Sequence, residues 1–189
     1  MTLSPSFLYR EGVTMKRSLM VWFVFILSLM FSQGVHAGNR EDIHVHKDCK
    51  YCGMDRGKFD FSRMLIEYDE GLSVAVCSLH CAAVDFANNI DRMPKAIKVG
   101  DFTTKDLIDA EKAFWVVGGS KPGVMSRRGK WAFAKKEDAE VFARENGGSL
   151  VDFEAAMKAA YEDMYVDTKM IRERRAMKKN HGKGHDHKH

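Results

Sequence analysis

The alternation of apolar and polar positions between residues 59 and 99 predicts a unit of two strands, a helix and a third strand. Apolar residues in 59–68 and 72–77 predict two strands, and the acidic and glycine residues between them predict a hairpin turn. A serine at the start of 78–89 is a favourable N-cap for a helix with one apolar face. The apolar stretch 96–99 completes a ββαβ order.

The second half of the chain repeats this order. Residues 113–117 and 131–134 predict strands, 136–146 predict a helix that ends at two glycines, and 149–151 predict a third strand. A further helix is expected from Asp152 to about Met164. The repeated order of elements predicts an internal duplication.

A shift of 56 residues supports that duplication, because it superposes Ala83, Phe86 and Ala87 on Ala139, Phe142 and Ala143. The predicted fold class is therefore α+β, with two related ββαβ half-domains. We place the first half-domain at 41–104 and the second at 112–167. The charged residues 168–189 are predicted to form a disordered, basic, His-rich C-terminal tail.

The N-terminal residues have the features of a secretory signal peptide. A short positive region, Met15-Lys16-Arg17, precedes an apolar run over 19–31, and Val35-His36-Ala37 resembles a cleavage site. The run is shorter than the roughly 20 apolar residues of a spanning helix. We predict that 1–37 is removed, with Met15 as an alternative start, and that the mature protein is periplasmic without a stable membrane anchor. No cysteine precedes Cys49, so no lipid attachment is expected.

The charge is divided unevenly along the chain. Residues 38–168 contain 19 Lys and Arg against 23 Asp and Glu, a net charge of about −4, whereas 169–189 contain 8 against 2, about +6. The basic stretch has no interleaved aromatic residues, so nucleic acid is not an expected partner. No nucleophile motif, phosphate loop or pair of carboxylates stands out, and the protein is not expected to be an enzyme.

The four cysteines lie close together in the sequence, as Cys49-x2-Cys52 followed by Cys77-x3-Cys81. In an oxidising compartment two disulfides are the simpler interpretation. The spacing is also that of metal ligands, with a loop carrying one pair and a helix N-terminus carrying the other. The sequence leaves the two interpretations open.

The ligand types indicate which metal such a site would hold. Four thiolates suit tetrahedral Zn(II), whereas the thioether of Met54 beside Cys52 favours Cu(I). His44 and His46 are candidate ligands or exposed residues with equal weight. His80 is a weaker candidate that is expected to face solvent. A second metal-binding tract is predicted in the tail at His181, His185, His187 and His189.

The cysteine-methionine motif and the Cys-Ser-x-x-Cys element resemble the TRASH/YHS-type treble-clef modules, and more specifically the NosL family of accessory copper chaperones of nitrous oxide reductase. The resemblance covers about residues 41–165. It implies periplasmic Cu(I) binding and delivery, with Cys52 and Met54 as the family's Cys-x-Met motif and Met125 as a thioether from the second half. The chain differs from common members in lacking a lipid-accepting cysteine and in carrying Cys49, Cys77 and Cys81.

Three functions follow as hypotheses. The first is a metallochaperone that binds Cu(I) and delivers it to a copper enzyme or its maturation machinery, with nitrous oxide reductase implied by the resemblance. The second is a structural Zn(II) module for protein interaction. The third is a thiol-disulfide oxidoreductase that uses Cys49 and Cys52.

Overall fold

The computed structural model describes residues 40–183, with the side chains of all but Glu70 and 180–183. These residues lie in one compact unit of two antiparallel sheets and four α-helices. In chain order the elements are α1 (Glu41–Val45), β1 (Met64–Glu67), a 3-10 turn (Asp69–Gly71), β2 (Ser73–Val76), α2 (Leu79–Asn88), β3 (Ala96–Gly100), β4 (Leu107–Asp109), β5 (Phe114–Pro122), β6 (Arg128–Phe133), α3 (Lys136–Asn146), β7 (Ser149–Val151) and α4 (Phe153–Lys183).

The two sheets share a three-stranded arrangement, to which the first adds β4, and this confirms the predicted α+β fold of two ββαβ halves. The first has the order β2-β1-β3-β4 and the second the order β6-β5-β7. In each half the first strand is central and the second and third strands pair antiparallel on either side. Burial alternates along β1, where Met64 and Ile66 are fully buried, as expected for a strand with one covered face.

One hydrophobic core joins the two halves. Its buried residues include Cys49, Cys77 and Cys81 from the first half and Trp115 from the second. Helix α4 packs on both α2 and β5, so it covers both halves. In a second, aromatic cluster, Phe61 and Phe102 of the first half pack against Trp131, Phe133 and Phe142 of the second.

The first predicted strand is shorter than expected, because residues 56–62 form turns and β1 begins only at Met64. The amides of Ser62 and Arg63 both donate to the carbonyl of Phe59, which closes the last turn. The segment also packs against the second half, through the contact of Phe61 with Trp131. Apolar alternation predicted the burial of its side chains but not the partner surface.

The expectation of a disordered tail from residue 168 is wrong for the part that the structure describes, since α4 continues to Lys183. Lys, Arg, Met, Ala and Glu dominate this stretch and all have high helix propensity. The buried side chains of Asp167 and Met170 also fix the helix beyond the predicted end at Met164. Residues 184–189 lie outside the described part.

The predicted signal peptide at 1–37 also lies outside the described residues. Within residues 40–183, no helix combines the length and apolar character needed to cross a bilayer.

Two fully buried arginines bind one carboxylate beneath the first sheet. Nη2 of Arg56 lies 2.6 Å from Oδ2 of Asp42, and Nε of Arg63 lies 2.9 Å from the same oxygen. Burial raises the pKa of Asp42, but the hydrogen bonds and charges of Arg63 and Arg56 outweigh it and hold the pKa below its ordinary value of 3.8. The ion pairs therefore fasten α1 to the segment that leads into β1.

We expect Asp42→Asn to lower the free energy of unfolding by about 3 kcal/mol at pH 7, because it leaves two buried guanidinium groups without their counter-charge. The folded pKa of Asp42 is lowered, so its stabilisation is complete above the ordinary value of 3.8 and is lost as the pH falls through the folded pKa. Urea unfolding should show a constant deficit from pH 7 to about 4.5 that narrows only in stronger acid.

The matched control is Asp91→Asn at an exposed position, which should change the free energy of unfolding by less than about 0.5 kcal/mol. A deficit for Asp42→Asn that stays the same down to pH 2.5 would show that its charge does not stabilise the fold.

Candidate metal centre

The first pair of cysteines lies in a tight loop, the CxxC loop (residues 48–55). The amide of Cys49 donates to the carbonyl of Met54 at 2.9 Å, and the amide of Gly53 donates to the carbonyl of Cys49 at 2.9 Å. Gly53 has φ +70°, which glycine adopts without strain. Lys50 N donates to the carbonyl of Ala75 at 3.1 Å, so the loop is fixed beside β2.

The second pair lies where β2 meets α2. Cys77 directly follows β2, and Cys81 lies in the first turn of α2, after Ser78 at the N-cap. Ser78 has the extended backbone of an N-cap, and its carbonyl accepts the amide of Ala82, although its hydroxyl makes no capping bond. Cys77 stands one residue before the N-cap and Cys81 in the first turn, and their Sγ atoms lie 3.8 Å apart.

The four sulfur atoms form one group, the thiol cluster (Cys49, Cys52, Cys77 and Cys81), all within 4.8 Å of one another. Sγ of Cys52 lies 3.4 Å from Sγ of Cys77, and all four cysteines are free. A tetrahedron of sulfur ligands about 2.3 Å from a metal has edges of about 3.8 Å. The observed separations therefore fit a single metal ion. The sequence left open whether the cysteines form disulfides or metal ligands, and in the structure no disulfide joins them.

Exposure differs among the four thiols. Cys49, Cys77 and Cys81 are buried, at 3%, 0% and 2% exposed, whereas Cys52 is half-buried. A metal held by the cluster would therefore reach the surface on the side of Cys52.

Hydrogen bonding within the cluster separates the acidities of the four thiols. Bonds from Cys52, Cys77 and Cys81 hold the pKa of Cys49 far below its ordinary value. A bond to Cys49 raises the pKa of Cys52, but bonds from Cys77 and Cys81 outweigh it and lower that pKa. The pKa values of Cys77 and Cys81 are raised, because they bond to Cys49 and Cys52 and are buried. The negative charge that attracts a cation thus resides on the CxxC loop.

A buried carboxylate on α2 binds the CxxC loop. The hydroxyl of Tyr51 donates to Oδ1 of Asp85 at 2.5 Å, and the hydroxyl of Tyr68 donates to Oδ2 at 2.6 Å. Burial and the Asp85 carboxylate raise the pKa of Tyr51 to about 12, so its hydroxyl remains a donor at neutral pH. Sequence reasoning did not identify Asp85, although it stands one helical turn after Cys81.

Two methionines pack against the hydrophobic core to which the three buried thiols belong. Met54, in the CxxC loop, and Met125, in the loop before β6, are both half-buried there. Met125 has φ +60°, a conformation that costs a non-glycine residue about 1 kcal/mol. The amide of Arg127 donates to Oδ1 of Asp167 at 2.9 Å, which helps to hold the Met125 loop. The structure thus brings the two predicted thioether residues to one core.

The three histidines of the first half lie outside the thiol cluster. His44 is exposed on α1, and Nε2 of His46 is 3.1 Å from Oγ of Ser73. His80 is 5% exposed, so the expectation that it faces solvent is wrong. Its Nδ1 faces Oδ2 of Asp167 at 3.8 Å, and neither atom has a hydrogen-bond partner among the described residues. Burial lowers the pKa of His80, so the ring is neutral at pH 7.

Helix α4 reaches the CxxC loop near its C-terminal end. Nη2 of Arg175 donates to the carbonyl of Cys52 at 3.1 Å. The backbone of His181 lies in the last turns of this helix, while His185, His187 and His189 fall outside the described residues. No local feature of the sequence linked Arg175 to a cysteine 123 positions earlier.

The duplicated α+β fold and the group of four thiols define a small protein built to bind a soft metal ion. The chain belongs to the NosL family, whose model matches residues 40–161. NosL proteins are copper chaperones and not enzymes. This confirms that the chain is not an enzyme and gives no support to the oxidoreductase hypothesis.

Among solved structures, the chain is similar to the copper chaperone NosL from Shewanella denitrificans. The sequence identity is 26%, the match covers 57% of this chain and 87% of that protein, and the TM-score is 0.45. No curated protein matches the chain.

We expect Tyr51→Phe to lower the free energy of unfolding by about 1.5–3 kcal/mol, because the buried Asp85 carboxylate loses a charge-assisted hydrogen bond. Urea unfolding followed by circular dichroism measures the change. Tyr165→Phe, at a position that is 79% exposed, serves as the matched control and should be neutral. Equal stability of the two variants would show that Tyr51 does not anchor the loop.

Proposed function

We propose that this protein is a periplasmic metallochaperone that binds Cu(I) at the thiol cluster and delivers it to a copper enzyme. The observation that carries the proposal is the convergence of four free thiols within 4.8 Å, three of them buried and one half-exposed. Membership of the NosL family supports copper as the metal and nitrous oxide reductase, or the machinery that assembles it, as the recipient.

The donor atoms favour a soft, monovalent ion. Thiolates combined with a thioether suit Cu(I), whereas Zn(II) gains nothing from a thioether. Met54 follows Cys52 by two residues and packs against the same core, and we assign it as a ligand. Because its loop also carries Cys49 and Cys52, whose pKa values are both lowered by hydrogen bonds within the cluster, the CxxC loop is where we place the first contact with copper.

Met125 is the ligand that we propose from the second half. It packs against the core that contains the thiols, and its backbone is held at φ +60°. A strained residue persists only where its surroundings fix it, and such positions concentrate at functional sites. A thioether from the second half would make the bound metal sensitive to the packing of the two halves.

Delivery requires that ligands be exchanged with a recipient. The half-exposed Cys52 is the one thiol that an incoming ligand can approach from the surface, since the other three are buried. In this mechanism the recipient's sulfur or nitrogen ligand adds to Cu(I) on the Cys52 side, and the chaperone's thiols then leave one at a time. No change in the oxidation state of copper is needed.

The histidines of the C-terminal tract are proposed as a separate, weaker metal-binding segment that raises the local copper concentration. The helix that leads to them supports this, because His181 is six residues beyond Arg175, about 9 Å along the helix axis. His44, His46 and His80 lie outside the thiol cluster, and we do not assign them to the Cu(I) site.

A structural Zn(II) module is the second candidate. The tetrahedral spacing of four thiols and the burial of three of them favour it. The two candidates differ in what the methionines do, because a zinc site with four thiolates has no use for Met54.

We expect the reduced, metal-free protein to bind one Cu(I) tightly at the cluster in an anaerobic titration against a chromophoric competitor. Met54→Ala and Met125→Ala should each weaken the affinity by about tenfold, equivalent to about 1.4 kcal/mol, through the loss of a thioether. Cys52→Ser should weaken it further. A chain that ends at Lys183 should lose only the weak binding of the tract.

Met93→Ala, at a residue that is 83% exposed, is the control and should leave the affinity unchanged. Zn(II) is titrated in parallel. Tight Zn(II) binding that depends on all four cysteines, with Cu(I) affinity indifferent to Met54 and Met125, would contradict the chaperone proposal and favour the zinc module.

A further inference from the structure

The C-terminal part of α4 carries an excess of positive charge that the fold does not use. We call residues 169–179 the basic segment. It holds one acid, Glu173, against six cations, all exposed: Lys169, Arg172, Arg174, Arg175, Lys178 and Lys179. Among the described residues, Arg175 is the one cation of the six with a polar partner, the carbonyl of Cys52.

Helix stability does not explain this charge. Cations favour the last turn of a helix, where they complement its dipole, but that effect fades within one turn, and Lys169 to Arg175 precede the end at Lys183 by two turns or more. Arg174 with Lys178, and Arg175 with Lys179, are like charges four residues apart, an arrangement that destabilises a helix by about 0.2–0.5 kcal/mol per pair.

The basic segment lies at the side of the site through which metal would pass. The bond from Arg175 to the carbonyl of Cys52 places it beside the half-exposed thiol. Arg172 and Lys179, three residues before and four residues after Arg175, share its face of the helix. Arg175 thus contacts the backbone of the residue that carries the half-exposed thiol, and Arg172 and Lys179 lie on the same face of α4.

The body of the protein has the opposite charge, with a net value of about −4 over residues 38–168 against +6 over 169–189. From this separation we propose that the basic segment is a docking surface for an acidic face of the protein that receives the metal. It would hold that face against the Cys52 side of the cluster. That the docked protein takes up the metal rests on the proposed function, whereas the docking itself does not.

A protein fits the segment better than an anionic membrane does. A helix that lies on a bilayer needs a broad apolar face with bulky residues beside its basic face. Here Met170 is buried in the protein and Ile171 is half-buried. Of the other nine positions from 169 to 179, seven are charged and one is Ala176, which leaves Met177 as the one exposed large apolar residue of the segment. The segment also has no aromatic residue for stacking on nucleic-acid bases.

The experiment measures binding of the full, metal-free protein to a short fluorescein-labelled peptide of Glu and Gly by fluorescence anisotropy, with a Gln-for-Glu twin as the neutral probe. We expect the acidic peptide to bind at least about tenfold more tightly than its twin at low salt, with the difference lost as NaCl is raised. Arg172→Glu with Lys179→Glu should abolish the preference. Arg175 is left intact because it contacts the CxxC loop.

The matched control reverses two exposed lysines outside the segment, Lys135→Glu with Lys158→Glu, and should keep the preference. Lys158 is on the same helix, about 26 Å along its axis from Arg175. Equal binding of the two peptides, or equal loss in both double variants, would overturn the proposal. Binding to phosphatidylglycerol vesicles that requires Arg172 and Lys179, without preference for the acidic peptide, would overturn it in favour of a lipid surface.

Cu(I) affinity of the same variants separates this inference from the proposed function. Both double variants should bind Cu(I) as the unaltered protein does, because neither changes a proposed ligand. Normal Cu(I) binding with no preference for the acidic peptide would contradict the docking proposal and leave the proposed chaperone function intact. If the protein fails to bind Cu(I) but still prefers the acidic peptide, the chaperone function is contradicted and the docking proposal stands.

Discussion

The position of the CxxC loop depends on the buried guanidinium of Arg56. Its nitrogens donate to the carbonyls of Asp42 and His46, which precede the loop, and to those of Met64 and Val76 in the first sheet. Val76 immediately precedes Cys77. One side chain thus fixes the distance between the two cysteine pairs, and the carboxylate of Asp42 neutralises its charge. Lysine could not replace it, because a single ammonium has neither the planar fork nor enough donors.

Around this anchor, the site combines fixed and accessible parts. Cys77 and Cys81 are buried and held by the junction of β2 and α2, while the CxxC loop is held by backbone hydrogen bonds and by Tyr51 on Asp85. The half-exposed Cys52 is the residue of this loop whose carbonyl α4 contacts through Arg175. A buried pair of thiols can retain a metal, and an accessible one can exchange it, which is the division that a carrier of metal requires.

The sequence predicted the elements better than it predicted what joins them. The ββαβ order of each half follows from local periodicity and the convergence of Cys77 with Cys81 from their spacing, and the structure confirms both. Helix α1 and strand β4 are too short to give a periodic signal and were not predicted. The partnership of Arg56 with Val76, and of Arg175 with Cys52, joins residues 20 and 123 positions apart and leaves no local signal. Composition also misled, because the density of charge beyond residue 168 resembled a disordered tail, while helix propensity and the burial of Asp167 and Met170 extend α4.

Family membership and the geometry of the thiols both support the proposal that sulfur atoms of the cluster hold a single Cu(I). The most direct measurement is the copper-edge X-ray absorption spectrum of the protein loaded with one equivalent of Cu(I), compared with that of Cys77→Ser after circular dichroism has shown that this variant is folded. We expect sulfur neighbours around copper in the unaltered protein and fewer of them in the variant. Nitrogen or oxygen neighbours alone, or a spectrum unchanged by the loss of Cys77, would contradict the claim.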